Sequence, residues 1–234
     1  MIYIQLLAKI NMKRIALLGL LISINTVGQA SNIESSDKDT LYTTDYPEGV
    51  YLNKIDFVNK IPSKSLDVYA VSMFGKERLP AVSKVHQCYF YDLKNSQKVK
   101  NIFAVSYNGN LYLQVKAILK NRNKNDRAQS SSYPNSFVRV IIGGTNYLYT
   151  EVELVNKWAA GTAVNFGAAG GTIYQDLIFG KGIVWDFKNK EFNIFKSCKD
   201  YNEFIQNRLA SAIQNCQGHE PDMLEVRKAV SEIK

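Results

Sequence analysis

From Leu66 to Val155 the chain alternates apolar and polar positions with a period of two. Val68 to Phe74, Val85 to Asp92, Ile102 to Tyr107, Asn110 to Leu119, Phe137 to Ile142 and Tyr147 to Val155 are rich in Val, Ile, Tyr and Phe. These side chains suit a pleated, half-buried surface. The clearest local signal is FAVSY-NG-NLYLQV. Asn108 and Gly109 both accept the positive φ of a type I′ turn, so the flanking runs predict a hairpin. Leu111, Leu113, Val115, Ala117 and Leu119 then share one face, and Tyr112, Gln114, Lys116 and Lys120 the other, as in a strand with one buried and one wet side. A second hairpin is expected across Gly143-Gly144-Thr145-Asn146, with Leu148, Val152 and Leu154 inward and Tyr147, Tyr149, Glu151 and Glu153 outward. A third spans Gly182 to Phe195.

At both ends the period becomes helical. In YPEGVYLNKIDFVNKIPS, residues 46 to 63, Leu52, Ile55, Phe57 and Val58 fall at mostly helical spacing after a Pro-Glu-Gly turn, and Ile61-Pro62 ends the run. Near the C-terminus, Asp200 and Glu203 form a helix-start signal. Tyr201, Phe204, Ile205, Leu209, Ala212, Ile213 and Cys216 make one apolar stripe after it. Gly218 stops that helix, and Pro221 suits the first turn of another carrying Met223, Val226, Val230 and Ile233. The fold class expected is α+β: a mainly antiparallel sheet built from hairpins, with a short N-terminal helix and two C-terminal helices packed on it.

The first 45 residues follow neither period. Lys13 and Arg14, the apolar run Ile15 to Ile24 and Val27-Gly28-Gln29-Ala30 make the pattern of a secretory signal peptide cleaved after Ala30. The run is well below the roughly 20 residues that cross a bilayer as a helix. Met12 is an alternative start. Residues 31 to 45 read as a flexible polar leader, and residues 46 to 234 as a single domain. Within that domain, residues 158 to 175 (WAAGTAVNFGAAGGTIYQ) carry no charge and are crowded with Gly and Ala. They read as a tightly packed core strand pair or a loop folded under the sheet. Gly167 and Gly171 also have the spacing of helices packed in lipid, which leaves peripheral membrane contact open.

The formal net charge of +8 falls by three once Lys9, Lys13 and Arg14 leave with the signal. The remaining basic residues concentrate in Lys94 to Lys100 and Lys116 to Arg127, which read as solvated loops between strands. Export makes nucleic acid a poor partner. Three cysteines in an oxidising compartment raise the question of a disulfide. If Cys198 and Cys216 flank one helix, their Cα atoms stand roughly 27 Å apart, far beyond disulfide reach. That pair is therefore disfavoured, Cys88 with Cys198 stays open, and at most one bond is expected.

Catalytic chemistry has little to build on. With two histidines and neither HExxH nor paired CxxC, no metal site or cofactor is expected. His86 and Cys88 alternate on one strand face without a third orienting group, and Glu151 and Glu153 share another, so a hydrolase of glycans or peptides is the alternative reading. FGAAGGT and IIGGTN lack the Lys-Ser/Thr of a phosphate loop. The better lead is Tyr107, Tyr112, Tyr147 and Tyr149, on neighbouring hairpin strands, which would form an aromatic surface for a peptide, a glycan or an envelope protein if the register brings them together.

The strings YPEGVYLNKIDFVNKIPS, NIFAVSYNGNLYLQ and GKGIVWDFKNKEFNIF resemble an exported family common in Bacteroidota, known as a domain of unknown function. The resemblance covers most of residues 46 to 205. It implies association with the cell envelope, in the periplasm, and brings no catalytic residues. The favoured reading is a non-enzymatic envelope protein that binds a ligand or protein; the alternatives are the exported hydrolase and a protein acting on membranes through residues 158 to 175.

Overall fold

The computed structural model describes residues 42–65, 67–73, 87–156 and 179–234. The expected signal peptide, most of the leader, His86 and the 158–175 segment lie outside the described residues. Within them the chain is mixed helix and antiparallel sheet, divided between two sheets rather than gathered in one.

The first sheet runs β1 (Gly49–Tyr51), β4 (Ala104–Tyr107), β5 (Asn110–Gln114), β7 (Phe137–Arg139), β3 (Gln87–Asp92), β2 (Val68–Ser72). Every neighbouring pair is antiparallel. The sheet curls: Val50 at one edge donates to the carbonyl of Lys64 at 3.1 Å, just ahead of β2 at the other. Alternate residues from every strand meet inside the curl, among them Val50, Val68, Phe90, Val105, Tyr112 and Phe137. Phe90 sits at the centre, edge-on to Tyr107, Tyr112 and Phe137 with centroids 5.5, 5.3 and 5.1 Å away. Gly49 permits the close approach at the seam. Its φ is +150°, and a Cβ there would lie 2.6 Å from Pro62 Cβ and 2.8 Å from the Lys64 carbonyl oxygen, so no side chain fits.

The second sheet runs β11 (Glu191–Ile194), β10 (Phe179–Asp186), β9 (Tyr147–Asn156), and β9 also carries the short strands β6 (Gln129–Ser130) and β8 (Ile142–Gly143). The run Phe137 to Ile142, expected as one strand, is shared between the sheets. The amide of Val140 donates to Leu111 O in the first and the amide of Ile141 to Tyr149 O in the second, each at 2.8 Å. The three hairpins are present. In the first, Asn108 and Gly109 take φ of 49° and 72°, and Tyr107 pairs with Asn110.

Between the sheets lies the main core, where Leu111, Leu113 and Val138 of the first face Leu148, Ile183 and Trp185 of the second. Helix α1 (Lys54–Val58) inserts Phe57 into it. Only five residues of the expected N-terminal helical run are helical, because the same stretch first supplies β1. The other face of the second sheet is covered by α3 (Cys198–Ile205) and α4 (Met223–Ile233), through Phe204, Ile205, Val226 and Val230 against Tyr149 and Val184. The helices thus lie on the outer side of β9 over Tyr147, Tyr149 and Glu151, which corrects the expectation that this side is wet there, while Glu153 remains exposed.

Two further expectations are corrected. The strand from Asn110 does not reach Leu119, because its partner β7 begins at Phe137, opposite Gln114. With no strand left to pair, the amides of Val115 and Lys116 go to the carbonyls of Ser136 and Pro134. Ala117, Leu119 and Lys120, good helix formers, then continue as α2 (Val115–Lys120). Helix α3 likewise ends at Ile205 instead of running to Cys216. The Asn202 side chain pairs with the backbone of Gln214 as a strand would, donating to its carbonyl and accepting from its amide, both at 2.9 Å. That folds the segment back, leaves Leu209 and Ala212 packed on the same core from a turn, and brings the Cα atoms of Cys198 and Cys216 to 5.7 Å in a disulfide. The pair disfavoured on helical spacing is the bonded one, and Cys88 is a free, buried thiol.

Candidate functional site

The four tyrosines singled out do not form one surface. Tyr107 and Tyr112 belong to the curled sheet, where Tyr112 is buried inside the curl and Tyr107 packs on Phe90 at its edge. Tyr147 and Tyr149 belong to the second sheet under the C-terminal helices. Tyr149 is fully buried, and Tyr147 lies edge-on to Phe204 and accepts from Arg208 Nε at 2.8 Å. Burial pushes the hydroxyls of Tyr112 and Tyr149 well above the ordinary tyrosine range. Strand alternation separates the faces on which these side chains lie and does not show what covers each face. The half-exposed aromatic wall is instead formed by Tyr69, Tyr89 and Tyr91: Tyr69 and Tyr91 stack at 5.7 Å and the Lys98 ammonium stands 3.4 Å from the Tyr89 ring centroid. The alternation in VYAVS and QCYFYD carried that signal.

Of the groups considered for hydrolysis, Glu151 is held in an ion pair and Cys88 is buried. Glu151 receives Arg227 Nε and Nη2 on its two carboxylate oxygens, at 2.8 Å each, and the Tyr149 hydroxyl donates to Oε1 at 2.8 Å. Glu153 stands exposed two residues on. This is the geometry of a charge-assisted fork that pins α4 to β9. Cys88 lies inside the curl beside Phe90 and Phe137, and burial pushes its thiol up to about 12, so no thiolate nucleophile is present near neutral pH. Cys88 is expected to stay unmodified by a thiol-directed disulfide reagent in the folded protein and to react within minutes in denaturant; a fast reaction of the native protein would contradict its burial. Among the described residues no group of three or more His, Cys, Asp or Glu could hold a metal ion, and no helix is long and apolar enough to cross a membrane.

A groove of about 380 Å³ lies between α1 and α2. Each wall is set by a local device. Asn53 caps α1, accepting from the amides of Ile55 and Asp56 at 2.8 and 3.1 Å, which anchors the turn carrying Lys54 and Ile55 at the groove. Opposite, α2 follows β5 directly, so Lys116 and Lys120 stand on the other rim. Lys116 Nζ donates to Asn101 Oδ1 at 2.7 Å, and Asn101 holds a left-handed φ of 58°. The floor is Ile102, Phe103 and Ala117, all buried.

Gln114 is the unusual member. It occupies the N-cap position of α2 yet caps nothing. Its side chain is turned inward, where Oε1 accepts from the Ile102 amide at 3.3 Å. Only a carbonyl oxygen can accept there, so the amide orientation is fixed. The Nε2 atom is left buried without a hydrogen-bond partner, in a residue 1% exposed. Sequence reasoning placed Gln114 on a wet face and passed over it. The signal was available only as a polar residue at the end of a strand whose neighbours become core.

A second groove adjoins the first, sharing Leu52 and Ile102, and is bordered by Lys64, Lys94, Lys98 and Lys100. Its two carboxylates are engaged locally. Asp67 pairs with Lys94 at 3.3 Å, and Asp92 accepts from the amides of Lys94 and Asn95 in the turn after β3. Lysines of both basic clusters expected as solvated loops, Lys94, Lys98 and Lys100 from one and Lys116 and Lys120 from the other, thus border adjoining grooves along one side of the curled sheet. No protein-family model matches this chain, nor does any curated protein or solved structure.

Proposed function

We propose that the chain is an exported, non-enzymatic binding module of the cell envelope that receives an anionic partner on the lysine-bearing side of its curled sheet. The observation that carries this reading is the meeting of the two grooves. Lys54, Lys116 and Lys120 border one and four further lysines the other, over a shared apolar step of Leu52 and Ile102. Like charges gathered on a concave surface raise the local concentration of an opposite charge and steer its approach. The signal-peptide pattern before Ser31 supports export, as does the Cys198–Cys216 disulfide, a bond that persists in oxidising compartments. The role first given to the tyrosine faces passes to the lysine side, since Tyr112 and Tyr149 are interior.

Pentaglutamate serves as a test anion. It is expected to bind at low ionic strength and to weaken steeply as salt is added, because exposed charges are screened over about 10 Å at 0.1 M salt. The triple variant Lys54→Glu, Lys116→Glu, Lys120→Glu should lose at least tenfold in affinity by calorimetric titration. The charge-matched variant Lys188→Glu, Lys199→Glu, Lys228→Glu, with all three residues exposed elsewhere, should bind like the parent. Equal losses in both would mean that net charge, and not this face, attracts the anion, and the reading would fail.

A further inference from the structure

We infer that the groove between α1 and α2 takes the carboxylate end of an N-acylated amino acid or short peptide, its charged head at the lysines and a carbonyl behind it accepting from Gln114 Nε2. The inference rests on the reading of the lysine side as an anion-binding face and names the ligand for one part of it. Three observations converge. Among the described residues no Asp or Glu lines the groove, while Lys54, Lys116 and Lys120 do, so the charge favoured at its mouth is negative. Apolar surface lies both below and beside that mouth: Ile102, Phe103 and Ala117 form the floor, and Ile55 and Leu52, 70% and 37% exposed, stand at the rim. A small inorganic anion would leave that surface wet, whereas a ligand with an apolar body covers it. Finally, Gln114 lines the groove with Oε1 already held by the Ile102 amide and Nε2 buried and without a partner, so a ligand that parts the groove wall there meets a donor with nothing to donate to. A buried polar group left unpaired is costly, and a ligand that supplies an acceptor there is selected over one that does not.

Carboxylate, carbonyl and apolar side chain occur together, a few bonds apart, at the end of an acylated amino acid or a peptide. A simple fatty acid offers the first and last without the second acceptor. A space of about 380 Å³ is within the usual range of small-molecule sites and suits a fragment of two residues.

The test is a titration of the ¹⁵N-labelled protein followed through the Gln114 side-chain amide resonances, which requires no variant. The probe is N-acetyl-leucyl-phenylalanine with a free carboxylate. It is expected to move both Gln114 side-chain amide protons to saturation, with backbone shifts at Ile102, Phe103 and Ala117. Its C-terminal carboxamide should bind at least tenfold more weakly, and decanoate should leave the Gln114 side chain unmoved. Ala117→Leu, which fills the floor, should abolish the shifts while the rest of the spectrum reports a folded protein. Equal binding of acid and carboxamide, a still Gln114 amide at saturation, or an equal response to decanoate would each overturn the inference. If pentaglutamate binds the lysine side and the acylated dipeptide does not bind at all, this inference alone falls. If neither binds, the wider reading falls with it.

Discussion

Replacing Trp185 by alanine is expected to destabilise the protein by about 3–5 kcal/mol, the range for deleting a large aromatic side chain from a packed core. Trp185 is fully buried at the point where the layers meet. Its ring lies 5.6 Å from those of Phe57 in α1 and Phe103 beside the groove, and 4.7 Å from that of Phe192 in β11. The hole left by alanine would be walled by rings from α1, β11 and the segment before β4, which can relax into it only in part. Trp185→Phe should cost far less. It keeps much of the ring and also removes Nε1, a buried donor without a partner, whose desolvation the folded state now bears. Chemical denaturation of the two variants checks this; equal losses would mean that the contact with Phe192 and its neighbours is not what Trp185 contributes.

Opening the Cys198–Cys216 disulfide, by reduction or by the double change to serine, is expected to cost about 3 kcal/mol, the chain-entropy value for a closed loop of this length. In a domain of this size that lowers the melting temperature by about 6–12 °C. The loss should remain local in origin. The bond closes a segment of sequence separation 18 within the C-terminal layer, and the Asn202 side chain continues to hold Gln214 when the sulfurs part. The variant is therefore expected to fold, with faster amide exchange confined to α3 and the turn after it. A melting temperature that ignores reductant would indicate that the Asn202 clasp, and not the covalent bond, sets the stability of this segment.

The sequence carried the hairpins because a turn such as Asn108-Gly109 and the alternation around it are local facts. It did not carry the second sheet, since nothing in the run Phe137 to Ile142 announces that consecutive amides at Val140 and Ile141 bond to different partners. The early end of α3 was hidden for a related reason. The stripe through Leu209 and Ala212 does pack on the core, but a turn and a helix can present the same residues to one surface. Of the candidate site, the lysine clusters were legible as clusters and illegible as neighbours, being brought together by the curl that ties Val50 to Lys64. The inward turn of Gln114 depends on an Ile102 amide twelve residues earlier, a pairing that periodicity does not encode.

The passage of the backbone from one sheet to the other at Val140 and Ile141 also separates the two sheets along the chain. All six strands of the curled sheet precede that point in the chain, and β8 to β11 with α3 and α4 follow it. All the strand partners of the first sheet are thus present in the chain before β9 and β10, although Phe57, Phe103 and Ala117 beside the groove share their core with Trp185 and Phe192 of the second. Until β9 and β10 arrive, the face bearing Leu111, Leu113 and Val138 has nothing to cover it. A chain present only up to that point would leave this apolar face open to solvent, the kind of surface that makes incomplete chains prone to aggregation.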